Sequence, residues 1–249
     1  MKISKILFWC FCALIISACS IKDYSPNNFK NYNAKQILIG GEKAITKRDY
    51  GEAVKYFEAI DALYPFDPES QQGQLDVIYA YYKAGDHASA IAAANRYIHL
   101  YPEGEHADYA YYMKGIVSCE KEHSFLHRFY PRQQENLDVS NLREAFFSFS
   151  DLVKKFPQSI YAQDAEKRML YIRNMLAQHE LYIAKFYFDR RAYIAATNRA
   201  SQIVKHYGGV PQVKEALKVM IKSYRVLGAN KQAYDAERIF NLNFPKKRI

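Results

Sequence analysis

The feature that most limits what this chain can fold into is a recurrence of small residues and prolines. The interval from Ala53 to Ala90 equals that from Pro65 to Pro102, and the interval from Ala90 to Ala233 equals that from Pro102 to Pro245. Each proline therefore follows its alanine at one fixed distance. Between these marks the apolar residues return every three or four positions, which is the period of a buried helix face, and the two-residue alternation of a strand is absent. Proline removes a backbone donor and clashes with the preceding turn, so it ends a helix at this spacing. From Ala34 onward the pattern predicts ten helices joined by short turns, grouped in five pairs.

In the first pair Gly41, Ala53, Phe57 and Pro65 take the small, small, aromatic and terminating positions of the tetratricopeptide repeat. The second pair carries Tyr81, Ala90 and Pro102, and the third carries Gly115, Ala145, Phe149 and Pro157 around an insertion over 123–140. Tyr193 and Ala196 mark the fourth, and Tyr224, Gly228, Ala233 and Pro245 the fifth. Asp49 followed by Glu52 reads as a capping box for the second helix. The first helix of the fourth pair runs without Gly or Pro from Tyr161 to Arg190, about 45 Å at 1.5 Å per residue. One such pair buries too little surface to stand alone, so the expected fold is all-α, a right-handed superhelix of about five stacked hairpins. The first helix of each pair lines the concave wall, which these scaffolds use to hold extended segments.

The N-terminus carries a different signal. Lys2 and Lys5 precede an apolar run from Ile6 to Ile16, too short to span a bilayer but suited to an export signal. Ile16-Ser17-Ala18-Cys19 then places small residues before a cysteine, the pattern of a bacterial lipobox. Residues 1–18 are expected to be removed, Cys19 to be lipidated, and 19–33 to form a polar tether reaching at most ~45 Å. Several acyl chains give lasting attachment where one holds weakly. Ser20 is not the aspartate that commonly retains lipoproteins at the inner membrane, so the periplasmic face of the outer membrane is the expected location. Loss of Cys10 and Cys12 with the signal leaves Cys119 as the one free thiol, so stability has to come from packing rather than disulfides.

Charge divides the mature chain. Residues 19–150 hold 14 Lys and Arg against 18 Asp and Glu, while 151–249 hold 19 against 8. The second half should seek an acidic partner. With 22 Tyr against 15 Phe and 1 Trp, tyrosine exceeds what a helical core needs, and Tyr79, Tyr81, Tyr82, Tyr109, Tyr111 and Tyr112 fall on first helices where some would line the wall. Cys119, His123 and His127 follow at four-residue intervals as metal ligands can, yet no motif nearby supplies the rest of a zinc site. Phosphate loops, nucleophile elbows and paired-cysteine motifs are missing, so neither catalysis nor a cofactor or metal is expected. The tail Lys246-Lys247-Arg248 lacks interleaved aromatics, which argues against nucleic acid.

Two stretches resemble a known family. Tyr64-Pro65-Phe66-Asp67-Pro68-Glu69-Ser70-Gln71-Gln72 with Gln74 to Lys83 behind it, and Ala145 to Val153 followed by Phe156-Pro157-Gln158-Ser159 and Tyr161, are similar to segments of the BamD family of lipoproteins, which serve the β-barrel assembly machine of Gram-negative bacteria. The resemblance implies that N-terminal repeats (34–122) engage targeting segments of unfolded outer-membrane proteins, with Tyr64, Phe66, Gln71, Tyr79 and Tyr82 as client-binding positions. It implies that C-terminal repeats (141–249) dock on the POTRA region of BamA through Arg199, with BamC and BamE as further partners. Arg199→Glu is expected to release BamA without unfolding the chain. The family has arginine where this chain has Gly51 and tyrosine where it has Phe186. A repeat lipoprotein docking peptidoglycan or cell-division enzymes is the alternative that shares anchor and fold.

Overall fold

The computed structural model describes residues 26–120 and 139–245. Among them are a 3-10 turn, Pro26–Phe29, and ten α-helices, with no strand. These are α1 (Ala34–Thr46), α2 (Tyr50–Leu63), α3 (Pro68–Ala84), α4 (His87–Leu100), α5 (Ala107–Glu120), α6 (Ser140–Lys155), α7 (Ala162–Asp189), α8 (Tyr193–His206), α9 (Gln212–Val226) and α10 (Asn230–Asn243). The all-α reading as helical hairpins therefore stands. The signal, residues 19–25 of the expected tether with Cys19, His123, His127, most of the insertion and the basic tail lie outside the described residues.

The hairpin turns explain the recurrence. Arg48, Gly85, Arg191 and Gly228 all take left-handed φ, between 60° and 83°, at the end of a first helix. The next N–H, on Asp49, Asp86, Ala192 or Ala229, donates to a carbonyl five residues back, closing a Schellman-type stop. Each of those residues then begins the second helix as its N-cap. Second helices end in a matching way: Tyr64, Tyr101, Phe156 and Phe244 follow the last helical residue of α2, α4, α6 and α10, each immediately before a proline. The clash between a proline ring and the preceding residue disfavours helix there, so the aromatic-proline pair is the stop signal.

Two local expectations need correction. Asp49 does accept a hydrogen bond from the Glu52 N–H at 3.1 Å, but Glu52 does not reach back. The Asp49 N–H is already donated to the Ala44 carbonyl, so the Glu52 carboxylate pairs with Lys55 at 3.0 Å instead. The complete capping box is at Asn33, where the side chain accepts from the Gln36 N–H and Gln36 accepts from the Asn33 N–H, both at 2.9 Å. Order thus begins before Ala34: Phe29 is buried and meets Tyr56 edge-on at 4.8 Å. Asn33→Ala should cost about 1 kcal/mol, read as a lower melting temperature and faster amide exchange at Gln36.

Contacts divide the chain into two compact units, one up to Gln74 and one from Leu75, with the boundary inside α3. In the first, Phe29, Ile37, Ala59 and Ile60 form the core. Gly41 is the predicted small position, since an added Cβ would overlap the ring of fully buried Phe57. In the second, three clusters follow one another: Leu75, Ile78, Ala94 and Tyr97 beside α5, then Phe149, Leu152 and Ile172, then Leu181, Ala200 and Ile203. From α4 on each helix packs on the next in this unit. α7 spans 28 residues, about 42 Å, as its unbroken sequence predicts.

Candidate functional site

In the second unit three first helices present tyrosines to one another. Tyr79 and Tyr82 are one turn apart on α3, and Tyr109 and Tyr112 one turn apart on α5. Tyr161 is the N-cap of α7, with Asp164 and Arg168 on the turns that follow. The Tyr112 ring stacks on Tyr161 at 4.8 Å, and Tyr109 approaches Tyr161 at 5.7 Å. Tyr79 and Tyr82 lie 6.4 Å apart, with the Lys83 ammonium over both rings.

Carboxylates lock this wall in place. The Tyr82 hydroxyl donates to Glu120 at 2.7 Å and the Tyr112 hydroxyl to Asp164 at 2.7 Å. Arg168 closes the second clamp through a short ion pair with Asp164. Burial, then Glu120, raises the Tyr82 pKa, and burial, then Asp76, raises that of Tyr109, so these phenols stay protonated donors. The hydrogen bond from Arg168, then that from Tyr112, holds the Asp164 carboxyl below its usual range. That clamp is intact above the ordinary carboxylate range and is lost as pH falls through the depressed value. Tyr82 and Tyr112, two of these hydroxyls, are already satisfied within the chain, so what their rings offer a ligand is aromatic face in fixed rotamers. A groove of about 550 Å³ opens beside the rings, lined among others by Asp76, Glu105, Asp108, Tyr109, Tyr161 and the largely exposed Ile160.

The predicted client positions fall in both units. Tyr79 and Tyr82 belong to the wall just described. Tyr64, Phe66 and Gln71 lie in the first unit: the half-buried Tyr64 donates its hydroxyl to the Tyr32 carbonyl at 2.6 Å, Phe66 is 97% exposed in the turn before α3, and Gln71 is half-buried on α3. The sequence placed Tyr109 and Tyr112 on a first helix but missed Tyr161, Asp164 and Arg168 as their partners. Tyr111 faces elsewhere; it is buried, and its hydroxyl accepts from Lys155 at 2.6 Å.

Arg199 is not a plain surface charge. Its side chain is 45% exposed, and Nη1 sits 3.2 Å from Glu180, whose side chain is 9% exposed and also faces Arg143 at 3.6 Å. Arg199 lies on the surface as expected, but it compensates a buried carboxylate, so charge reversal there is expected to cost stability as well as partner binding. Cys119 is half-buried, and burial pushes its thiol up to about 11, so it is a poor nucleophile. Among the described residues no group of three His, Cys, Asp or Glu could hold a metal ion, and no helix there is long and apolar enough to cross a membrane.

A family model described as "Outer membrane lipoprotein" (YfiO) matches residues 30–239. The chain is 34% identical over 245 residues to the outer membrane protein assembly factor BamD of Neisseria meningitidis, covering 97% of this chain and 92% of the relative. It is 32% identical to BamD of Vibrio cholerae, covering 88% and 91%, and 30% identical to that of Haemophilus influenzae, covering 98% and 92%. With its helical hairpins and near full-length match, the chain belongs to the YfiO family of outer membrane lipoproteins, the family of the BamD assembly factors.

Proposed function

We propose that this chain is a non-enzymatic scaffold for outer membrane protein assembly, a member of the β-barrel assembly machine held at the periplasmic face of the outer membrane by lipid on Cys19. Its relatives, named as outer membrane protein assembly factors along nearly their whole length, support the assembly role. The observation that carries the mechanism is the clamped tyrosine wall of α3, α5 and α7. An unfolded β-barrel precursor presents an extended, aromatic-rich segment, and rigid ring faces bind such a segment with little further loss of side-chain freedom. The basic second half docks the POTRA region of BamA, with Arg199 on that contact, and BamC and BamE complete the assembly.

A fluorescent peptide copying the last strand of an outer-membrane β-barrel, titrated into the purified chain, tests the wall. Tyr79→Ala with Tyr82→Ala should weaken binding about tenfold or more, in line with one or two lost aromatic contacts. Equal binding by the double variant, with its helix content retained, would count against the wall as the client surface.

A further inference from the structure

The second unit holds another cavity, away from the tyrosine wall. About 400 Å³ in volume, it is lined by Arg143, Phe146 and Phe147 of α6, Arg173 of α7, and His206 and Tyr207 at the end of α8. Its chemistry is divided. Phe146 and Phe147 meet edge-on at 6.3 Å, and Phe147 is 65% exposed, a large apolar surface left to water. Around these rings stand two guanidiniums, an imidazole and a phenol. Arg173 is anchored by one donor on the Gly208 carbonyl at 3.0 Å, and Arg143 is 3.6 Å from Glu180. Arg143, Arg173 and Tyr207 line the same cavity, and burial first, then Glu180, raises the Tyr207 pKa while the two guanidiniums oppose that rise. Glu180 is one carboxylate between Arg143 and Arg199, and none of the described residues lining the cavity is acidic, so the rim keeps positive charge.

An anion alone would need the arginines but not the phenylalanines. A hydrophobic side chain alone would need the rings but not the charge. We infer that this pocket takes a peptide segment of a partner protein in which an Asp or Glu side chain adjoins a bulky apolar residue. The carboxylate pairs with Arg143 and Arg173, and the apolar side chain covers Phe146 and Phe147. Two guanidiniums favour carboxylate through forked hydrogen bonds, and the apolar surround strengthens them by excluding water. The site adjoins the Arg199 contact, since its Arg143 shares Glu180 with Arg199, and the variants that test it, at Arg173 and Phe147, lie outside that ion pair.

The test uses the full chain in detergent and a labelled, C-terminally amidated peptide, Gly-Ser-Phe-Glu-Asp-Leu-Ser-Gly, followed by fluorescence anisotropy. Replacing Glu and Asp of the peptide by Gln and Asn should lower affinity at least tenfold. Arg173→Gln or Phe147→Ser in the protein should each do the same, whereas Lys231→Ala, at an exposed position of α10, leaves binding unchanged. Phe147 is exposed, so Phe147→Ser keeps the question answerable even if Arg173→Gln unfolds, as circular dichroism would reveal. Equal binding of the neutral peptide, or equal binding by both protein variants, would overturn the assignment. So would a peptide that binds only with a free C-terminal carboxylate, or a pocket whose variants lose phosphatidylglycerol vesicles while the peptide does not bind.

Discussion

Phe149→Ala is expected to lower stability by about 3–5 kcal/mol, which for a chain of this length moves the melting temperature down by roughly 6–20 °C. Phe149 is fully buried on α6 and packs into the space left by the missing side chain of Gly115 on α5, where an added Cβ would come within 2.5 Å of the ring. Removing the ring leaves a cavity that the stiff helices cannot close. Gly115→Ala should destabilise by about 1–3 kcal/mol through the opposite fault, overpacking. In the Phe149→Ala background the new methyl group has room. The double variant should therefore cost less than the sum of the two, by about 1 kcal/mol or more in a thermodynamic cycle from urea unfolding. The consequence reaches the tyrosine wall, because the Tyr112 ring lies 6.0 Å from Phe149. Client peptide binding should weaken in Phe149→Ala even at temperatures where the chain remains folded.

Arg199→Glu is expected to destabilise the second unit by roughly 2–3 kcal/mol, below the full cost of orphaning a buried charge because Arg199 is nearly half exposed and Arg143 remains on Glu180. Two carboxylates then face each other across α7 and α8. Loss of partner binding by that variant would mix docking with folding. Arg199→Gln together with Glu180→Gln removes charge from both sides and should keep the melting temperature closer to the parent. If Arg199 is a docking residue, the double variant still loses co-purification with BamA while melting near the parent temperature. Calorimetry and co-purification on the same preparations separate the two effects, and a doubly neutral variant that still binds BamA fully would remove Arg199 from the contact.

How much of this was legible beforehand depended on how local the cause was. The positions of Ala53, Phe57 and Pro65, and their equivalents, have backbone causes within one hairpin, so their spacing alone placed the helices. The Asn33 cap was hidden because a polar stretch rich in asparagine has the composition of a tether, and only the reciprocal bond with Gln36 distinguishes it. Asp49 misled for the opposite reason: the motif was present, but its N–H had already been taken by the preceding helix. The wall was visible as a surplus of tyrosine on first helices, without the contacts that join those tyrosines. Tyr109 and Tyr112 follow Tyr79 and Tyr82 at an interval shorter than the alanine-proline repeat by about two helical turns. The pairs therefore share a face at different levels of their helices, which a search at the repeat period does not find. Glu180 and Arg199 meet because α7 and α8 fold back on each other, and one pair of charges on separate helices carries no periodic signal.

A photoreactive phenylalanine analogue placed at Tyr79 in living cells tests the central claim, that ring faces on the first helices hold extended precursors during assembly. Crosslinks from Tyr79 should capture outer-membrane β-barrel precursors, and capture should fall when export of those precursors is blocked. The same probe at exposed Lys231 on α10 should capture them little. Precursors captured equally from Lys231 and Tyr79, or capture of peptidoglycan enzymes from Tyr79 in place of precursors, would contradict it.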